Sequence, residues 1–328
     1  MAFRVGQHVG AYRVVRPLGH GGMGAVYEVE HRELGVRYAL KAFTLDHGDA
    51  DLLRRKFLVE GRILARLHHP CLVRVYDLGC DETTGCPYFT MDLVVGPAGE
   101  PCTLEDLRRA GGVTESDIAR WYADLSGGLE AMHAAGVVHR DVKLENVLVN
   151  AEGRAVLADL GISRILDDAA LAVTAIPTRF SDAGHADALL MGTAEYVAPE
   201  IRSGGAVTPA ADYYSLGVLL FRLLTDVWFE PGTAVLDLLA PFDPVWADAI
   251  SALTSPDPAC RRLPRVDLDA SAKNRPSGLR RVTRRDWLIA AGLAGVLGIG
   301  TILALQYRKM QEFVVPPESC FAIPDFIR

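Results

Sequence analysis

The sequence predicts an α+β fold of two lobes, a small β-rich lobe followed by a larger α-rich one, with a single apolar helix towards the C-terminus. Three observations predict it. Alternation of period two runs on both sides of a glycine cluster in "YRVVRPLGHGGMGAVYEVEH" and resumes in "VRYALKAF". Helical spacing then takes over, most clearly in "TESDIARWYADLSGGLEAMHAAG". Finally, "WLIAAGLAGVLGIGTILALQY", residues 287–307, carries no charge and has the length that crosses a bilayer.

Each element follows from its residues. Gly19, Gly21 and Gly24 spell G-x-G-x-x-G, but the third glycine leads into the alternating "AVYEVEH", so the motif closes a strand-loop-strand hairpin rather than opening a helix. Such glycines let backbone N–H groups approach phosphate oxygens. Lys41 ends "YALK" on the next strand, and an inward-pointing lysine needs an anion. Glu60, on the helix predicted for "LLRRKFLVEGRILARLHH", is one available partner and nucleotide phosphates are another. That helix sets Leu53, Phe57, Leu64 and Leu67 on one face, and Gly61 weakens it by about 1 kcal/mol relative to alanine. "LVRVYDLG" and "PYFTMDLV" return to strand, and the lobes join near Val94 to Gly99. Thr114 then caps a helix with Asp117 three residues on, whose buried side is Ile118, Trp121, Leu125, Leu129 and Met132.

Four regions result: a folded domain over 12–263, a linker rich in Pro, Arg, Lys and Ser over 264–286, a membrane span over 287–307 and a short tail over 308–328. Half of the chain is hydrophobic and 23% is charged, which suits a folded protein. A net charge of −7 argues against nucleic-acid binding. The six cysteines form no CxxC pair, which argues against a zinc site and for reduced thiols in the cytosol. The first residues lack the basic and apolar runs of a signal peptide.

The run "HRDVKLENVLV", residues 139–149, crowds Asp141, Lys143, Glu145 and Asn146 against an apolar strand. Together with "LGHGGMGAVY", "YALK", Glu60, "ADLG" and "GTAEYVAPE", it follows the order and rough spacing of the protein-kinase signature set. The chain resembles the bacterial members of the eukaryotic-like (Hanks-type) serine/threonine protein kinases over about 250 residues, a count taken from the extent of those motifs. The resemblance implies the two-lobed protein-kinase fold and transfer of the ATP γ-phosphoryl group to Ser/Thr hydroxyls of proteins, the chain itself included.

It also implies residue roles. Asp141 would accept the hydroxyl proton and orient the hydroxyl, and Lys143 would steady the γ-phosphate. Asn146 and Asp159 would hold Mg²⁺, with Mn²⁺ as an alternative ion. Lys41, paired with Glu60, would position the phosphates under Gly19, Gly21 and Gly24. Val26 and Ala39 would cover the adenine, Met91 would close the back of its pocket, and Leu148 would form its floor. Asp92 to Val94 would be the hinge. His139 would be structural, Asp212 would anchor the catalytic loop, and Glu200 would pair with Arg261. Lys143 and Thr193 fit the serine/threonine pattern. Arg140 would hold a phosphate on the activation segment, where Thr174 and Thr178 are preferred over Ser163 and Ser181 as acceptors.

Some features depart from the family pattern. Leu160 follows Asp159 where the family has phenylalanine, a swap of similar bulk. The stretch before Asp257 is short, which abbreviates one substrate-docking helix. Arg280, Arg281, Arg284 and Arg285 crowd the start of the span, whereas Arg308 and Lys309 follow it. That asymmetry predicts a single-pass cell-membrane protein with its folded domain in the cytoplasm. Ala291/Gly295 and Ala294/Gly298 have the small-xxx-small spacing that can pair two spans in a homodimer. Two other classes compete: a membrane-tethered nucleotide-binding scaffold without turnover, opposed by the complete residue set, and a small-molecule phosphotransferase, opposed by "GTAEYVAPE".

Overall fold

The computed structural model describes residues 2–21, 24–43, 61–159, 194–230 and 232–268. One compact unit spans Met1–Gly278 and a second Leu279–Arg328, and every described residue lies in the first.

The first part of the chain is a six-stranded antiparallel sheet. Its strands are β1 (His8–Val9), β2 (Tyr12–Gly21), β3 (Gly24–His31), β4 (Arg37–Phe43), β5 (Val75–Cys80) and β6 (Pro87–Met91), in the spatial order β1-β2-β3-β4-β6-β5. Alternation sorts its faces. Val9, Tyr12, Val14, Tyr27, Val29 and Leu40 fill one cluster, whereas Ala39, Phe43, Phe89 and Met91 join the main core. The glycine segment is the hairpin its spacing predicts, with Gly19 opposite Val26 and Gly21 opposite Gly24. A side chain at Gly24 would strike the carbonyl oxygen of Ala42 on β4, so only glycine lets these backbones pack.

Gly61 has a packing role besides the helix weakness expected of it. It is buried, and a methyl there would lie 2.9 Å from Leu78 Cδ1 and 3.5 Å from Phe89 Cδ1. The missing side chain brings residues 61–64, which are helical, close onto β5 and β6. Leu64 and Leu67 are buried as their spacing predicts.

Helices dominate the rest: α1 (Leu104–Ala110), α2 (Glu115–Ala134), α3 (Pro199–Arg202), α4 (Pro209–Thr225), α5 (Val235–Leu239) and α6 (Pro244–Leu253). Thr114 and Asp117 form a reciprocal capping box at the start of α2, and Ile118, Trp121, Leu125, Leu129 and Met132 are all buried. Helix α4 is apolar nearly all round and runs through the core, with Leu216, Val218, Leu219, Leu220, Phe221 and Leu224 fully enclosed. Each such side chain contributes roughly 1.5–3 kcal/mol on burial. The short stretch before Asp257 holds the five-residue α5 and the ten-residue α6.

The strands β7 (Val147–Val149) and β8 (Ala155–Leu157) form a small hairpin that joins the two halves. Leu157 exchanges backbone bonds with Cys71 and Val73 on one side, and Val149 N–H donates to Cys102 on the other. Beyond Leu263 the chain still packs: the Tyr122 hydroxyl donates to the Pro264 carbonyl, and Val266 and Leu268 lie against the core.

Candidate active site

The loop between α2 and β7 is built around a buried carboxylate. Asp212, fully enclosed in the first turn of α4, accepts from the backbone N–H of His139 (Oδ2, 2.8 Å) and of Arg140 (Oδ1, 2.8 Å). His133 Nε2 lies 2.8 Å from the same Oδ2. Arg140 has φ +70°, a left-handed conformation that costs a non-glycine residue roughly 1–2 kcal/mol. Asp212 holds the residues on both sides of that strained peptide, which fixes the direction in which Asp141 leaves the loop.

His139 locks the loop from the other side. Its Nε2 lies 3.1 Å from the Ala158 carbonyl and its Nδ1 accepts from Asp141 N–H at 3.3 Å. A carbonyl can only accept, so the proton sits on Nε2 and the ring is neutral. Burial pushes the imidazole pKa down, and this outweighs the opposing pull of Asp212 and Asp141. The structural role expected of His139 is met.

Asp141 presents a half-buried carboxylate whose Oδ2 is held twice, by Asn146 Nδ2 at 2.7 Å and by Lys143 Nζ at 2.8 Å. Asn146 Nδ2 also donates to the Asp141 carbonyl at 2.9 Å. Both amide protons of Asn146 are thereby used, which settles its orientation and leaves its Oδ1 as an acceptor. Asp141 Oδ1 has no partner among the described residues, so one oxygen of the carboxylate is fixed and the other is open.

The β7–β8 hairpin sets Asp159 beside this group. Val147 pairs with Leu157, and Ala158 N–H donates to the Asn146 carbonyl at 2.9 Å. Asp159, next in the chain, has φ +52°, so two of the three non-glycine residues with positive φ among those described stand at this site. Its carboxylate meets Lys41 Nζ at 3.1 Å. Burial would raise its pKa, but the Lys41 charge and hydrogen bond, helped by His139 and Lys143, hold it below the usual carboxylate range. Lys41 is 8% exposed and lies over the Phe89 ring at 5.8 Å, so its charge points inward as its strand position predicts.

No cluster of three or more His, Cys, Asp or Glu side chains that could hold a metal occurs among the described residues. Asn146 Oδ1 and the Asp159 carboxylate are instead a pair of hard oxygen donors. Such a pair suits an ion that takes its remaining ligands from water and phosphates, the usual habit of Mg²⁺. The glycine hairpin and the inward Lys41 fit a polyphosphate in the same way. The apolar walls also converge. Ala39 stands opposite Met91 across β4 and β6, and Val26 stands opposite Lys41. Leu148, the middle residue of β7, points away from its buried neighbours Val147 and Val149. Val26 and Leu148 are half-buried against the cluster that holds Ala39 and Met91. Leu18, Leu93 and Val94 pack there too.

Further from the chemistry, Arg261 grips Glu200 with two bonds (2.6 and 2.8 Å), as the resemblance implies, and donates to Ser255 and Ala210 carbonyls. Burial would raise the Glu200 pKa, but Arg261 holds it down. Sequence reasoning missed Leu18 and His133. The first belongs to an alternating strand with no motif to single it out. The second meets Asp212 across 79 positions, a contact that no local pattern encodes. Glu60, Leu160, Ser163, Thr174, Thr178, Ser181, Thr193 and the linker beyond residue 268 lie outside the described residues. So do the span and the tail. Among the described residues, no helix is long and apolar enough to cross a membrane.

Known proteins resemble this chain in sequence and in fold. The chain is 36% identical over 221 residues to the serine/threonine-protein kinase pkn2 of Myxococcus xanthus, covering 66% of this chain and 24% of that protein. It is 34% identical over 229 residues to the serine/threonine-protein kinase PknA of Mycobacterium tuberculosis, covering 69% and 49%. The aligned part thus spans about a quarter of the first relative and about half of the second. The Mycobacterium tuberculosis PknI kinase domain superposes with a TM-score of 0.58 at 26% identity, covering 80% of this chain and 94% of that one. The protein kinase domain model matches residues 12–277, and with the loop, lysine and hairpin arranged as above, the chain belongs to the protein kinase family.

Proposed function

We propose that this chain is an ATP-dependent protein kinase that phosphorylates serine and threonine hydroxyls of proteins, its own included, from a membrane-anchored position. One observation carries the reading: the Asp141 carboxylate is held through Oδ2 by Asn146 and Lys143 with Oδ1 left open, on a loop joined through the β7–β8 hairpin to the Lys41–Asp159 pair. The names of the bacterial relatives support the choice of serine and threonine.

The family uses ATP and a divalent metal, and Mg²⁺–ATP supplies the phosphoryl group and neutralises the charge that develops on transfer. The residues of this chain do the rest. Asp141 Oδ1 is placed to orient an incoming hydroxyl and accept its proton, a role that typically contributes 10²–10⁴-fold. Lys143, fixed against the same carboxylate, offers positive charge where the transferring group passes. Asn146 Oδ1 and Asp159 would hold the cation, and Lys41 would hold the phosphates. The apolar faces of Val26, Ala39, Met91 and Leu148 would enclose the base and exclude water.

Full-length protein incubated with radiolabelled ATP should label itself and an added generic protein, but not small alcohols. Asp141→Asn should reduce that by at least about two orders of magnitude. Full labelling by purified Asp141→Asn protein would overturn the assignment, and labelling of small alcohols alone would point to a different phosphotransferase.

The uncharged residues 287–307 and the arginines before them support a single span with the kinase domain in the cytoplasm. A membrane-impermeant thiol reagent applied to intact cells should then label Cys320 and spare Cys80 and Cys260, which are exposed on the kinase domain. Labelling of Cys80 and Cys260 instead would reverse the orientation.

A further inference from the structure

The end of α4 carries a cation that the chemistry described so far does not use. Arg222 is half-buried, and its guanidinium lies on the face of Trp228, 4.1 Å from the ring centroid. One N–H donates to the Asp226 carbonyl at 2.9 Å. No carboxylate stands within ion-pair distance of it among the described residues. The nearby acids are engaged elsewhere: Asp226 and both oxygens of Glu105 are taken by Arg108. Burial, and then the Arg108 charge, push the Arg222 pKa below its usual range, against the pull of Asp226 and Glu105.

This cation is linked to the loop that carries Asp141 through two aromatic rings. Trp228, 37% exposed, meets Tyr196 edge-on at 5.7 Å. The buried Tyr196 phenol is influenced by the Leu144 backbone and by Glu145 and Arg222. Leu144 and Glu145 follow Asp141 by three and four residues. Two ring contacts therefore separate Arg222 from the loop that holds the proposed base. An extended peptide advances about 3.3 Å per residue, so four residues carry a side chain roughly 13 Å from the acceptor.

We propose that Arg222, held on Trp228, is a specificity-determining residue that binds an acidic side chain of the protein substrate within about four residues of the phosphorylated hydroxyl. The inference rests on the kinase reading and adds a substrate class to it. A stacked guanidinium is preorganised, with a fork of N–H groups matched to a carboxylate. Glu145, exposed on the catalytic loop, sets a limit to the same pocket by repelling an acid placed directly beside it.

The test is a peptide library with one fixed Ser or Thr and each flanking position varied, phosphorylated by the full chain. The wild type should favour Asp or Glu over Ala at one flanking position by about tenfold in kcat/KM. Arg222→Gln should bring that ratio close to one, and Arg222→Glu should turn it towards Lys or Arg. Arg222→Lys should keep part of it, and added salt should reduce it in the wild type. Because each ratio compares two peptides on one protein sample, a loss of folded material cancels out. A phosphorylated library without acidic preference, or a preference that survives Arg222→Gln, overturns this inference and leaves the kinase reading standing. A library left wholly unphosphorylated by the wild type overturns both.

Discussion

Replacing Asp212 by asparagine tests how the loop is held. The wild-type carboxylate is fully enclosed and accepts from two backbone N–H groups at 2.8 Å, with His133 Nε2 also at 2.8 Å. Asparagine keeps one oxygen and turns an NH₂ towards the other side, so at least one buried N–H faces another donor. An unsatisfied buried donor costs about 1–3 kcal/mol. The bonds that remain lose their charge assistance, worth about another 1 kcal/mol. Arg140 carries the same left-handed strain in both proteins, so that strain adds nothing to the difference. Together these two losses come to roughly 2–4 kcal/mol, and a domain of this size shifts by about 2–4 °C per kcal/mol. Thermal unfolding should therefore fall by roughly 4–16 °C, and phosphotransfer should drop because Asp141 loses its heading. Asp237→Asn on the exposed side of α5 is the control and should change stability by less than about 0.5 kcal/mol. An Asp212→Asn protein that melts within about 2 °C of wild type and keeps its turnover would refute the argument.

Gly24→Ala should push β3 away from the Ala42 carbonyl, costing roughly 1–3 kcal/mol and weakening nucleotide binding. Fluorescence titration with a nucleotide analogue checks this, and unchanged affinity and melting would contradict the close approach. The buried, neutral His139 makes stability sensitive to acid. Unfolding frees its ring to take a proton below about pH 6.5, while the folded form resists protonation. Its contribution should be complete above about pH 6.5 and decline as pH falls towards the lower folded-state value, at no more than about 1.4 kcal/mol per pH unit. Melting curves between pH 8 and pH 5 should show a shallower decline for His139→Gln than for wild type; parallel declines would assign the loss to other groups.

Local patterns in the chain determined the elements and the chemistry they carry. Alternation specified β2, β3 and β4, because a strand with one buried face must repeat every two residues. A capping box at Thr114 and Asp117 placed the start of α2, because the first N–H groups of a helix need acceptors from nearby side chains. Asp141, Lys143 and Asn146 were legible because they act within one six-residue loop, and Asp159 because its motif stands at a fixed place in the order. The tertiary structure decided what lies between distant positions. The family resemblance pointed to Asp212 as the anchor of the loop, but no local pattern around it says that it receives His139, Arg140 and His133, for those bonds cross more than 70 residues. Gly61 reads only as a weak point in a helix until the Leu78 side chain is seen to crowd the space a Cβ would need. Arg222 reads as one more charge near a helix end until Trp228 is stacked beneath it and Arg108 has taken the neighbouring acids. Propensity and capping act within a few residues and are written in sequence; desolvation and unmatched charge depend on which surfaces meet, and only the folded chain decides that.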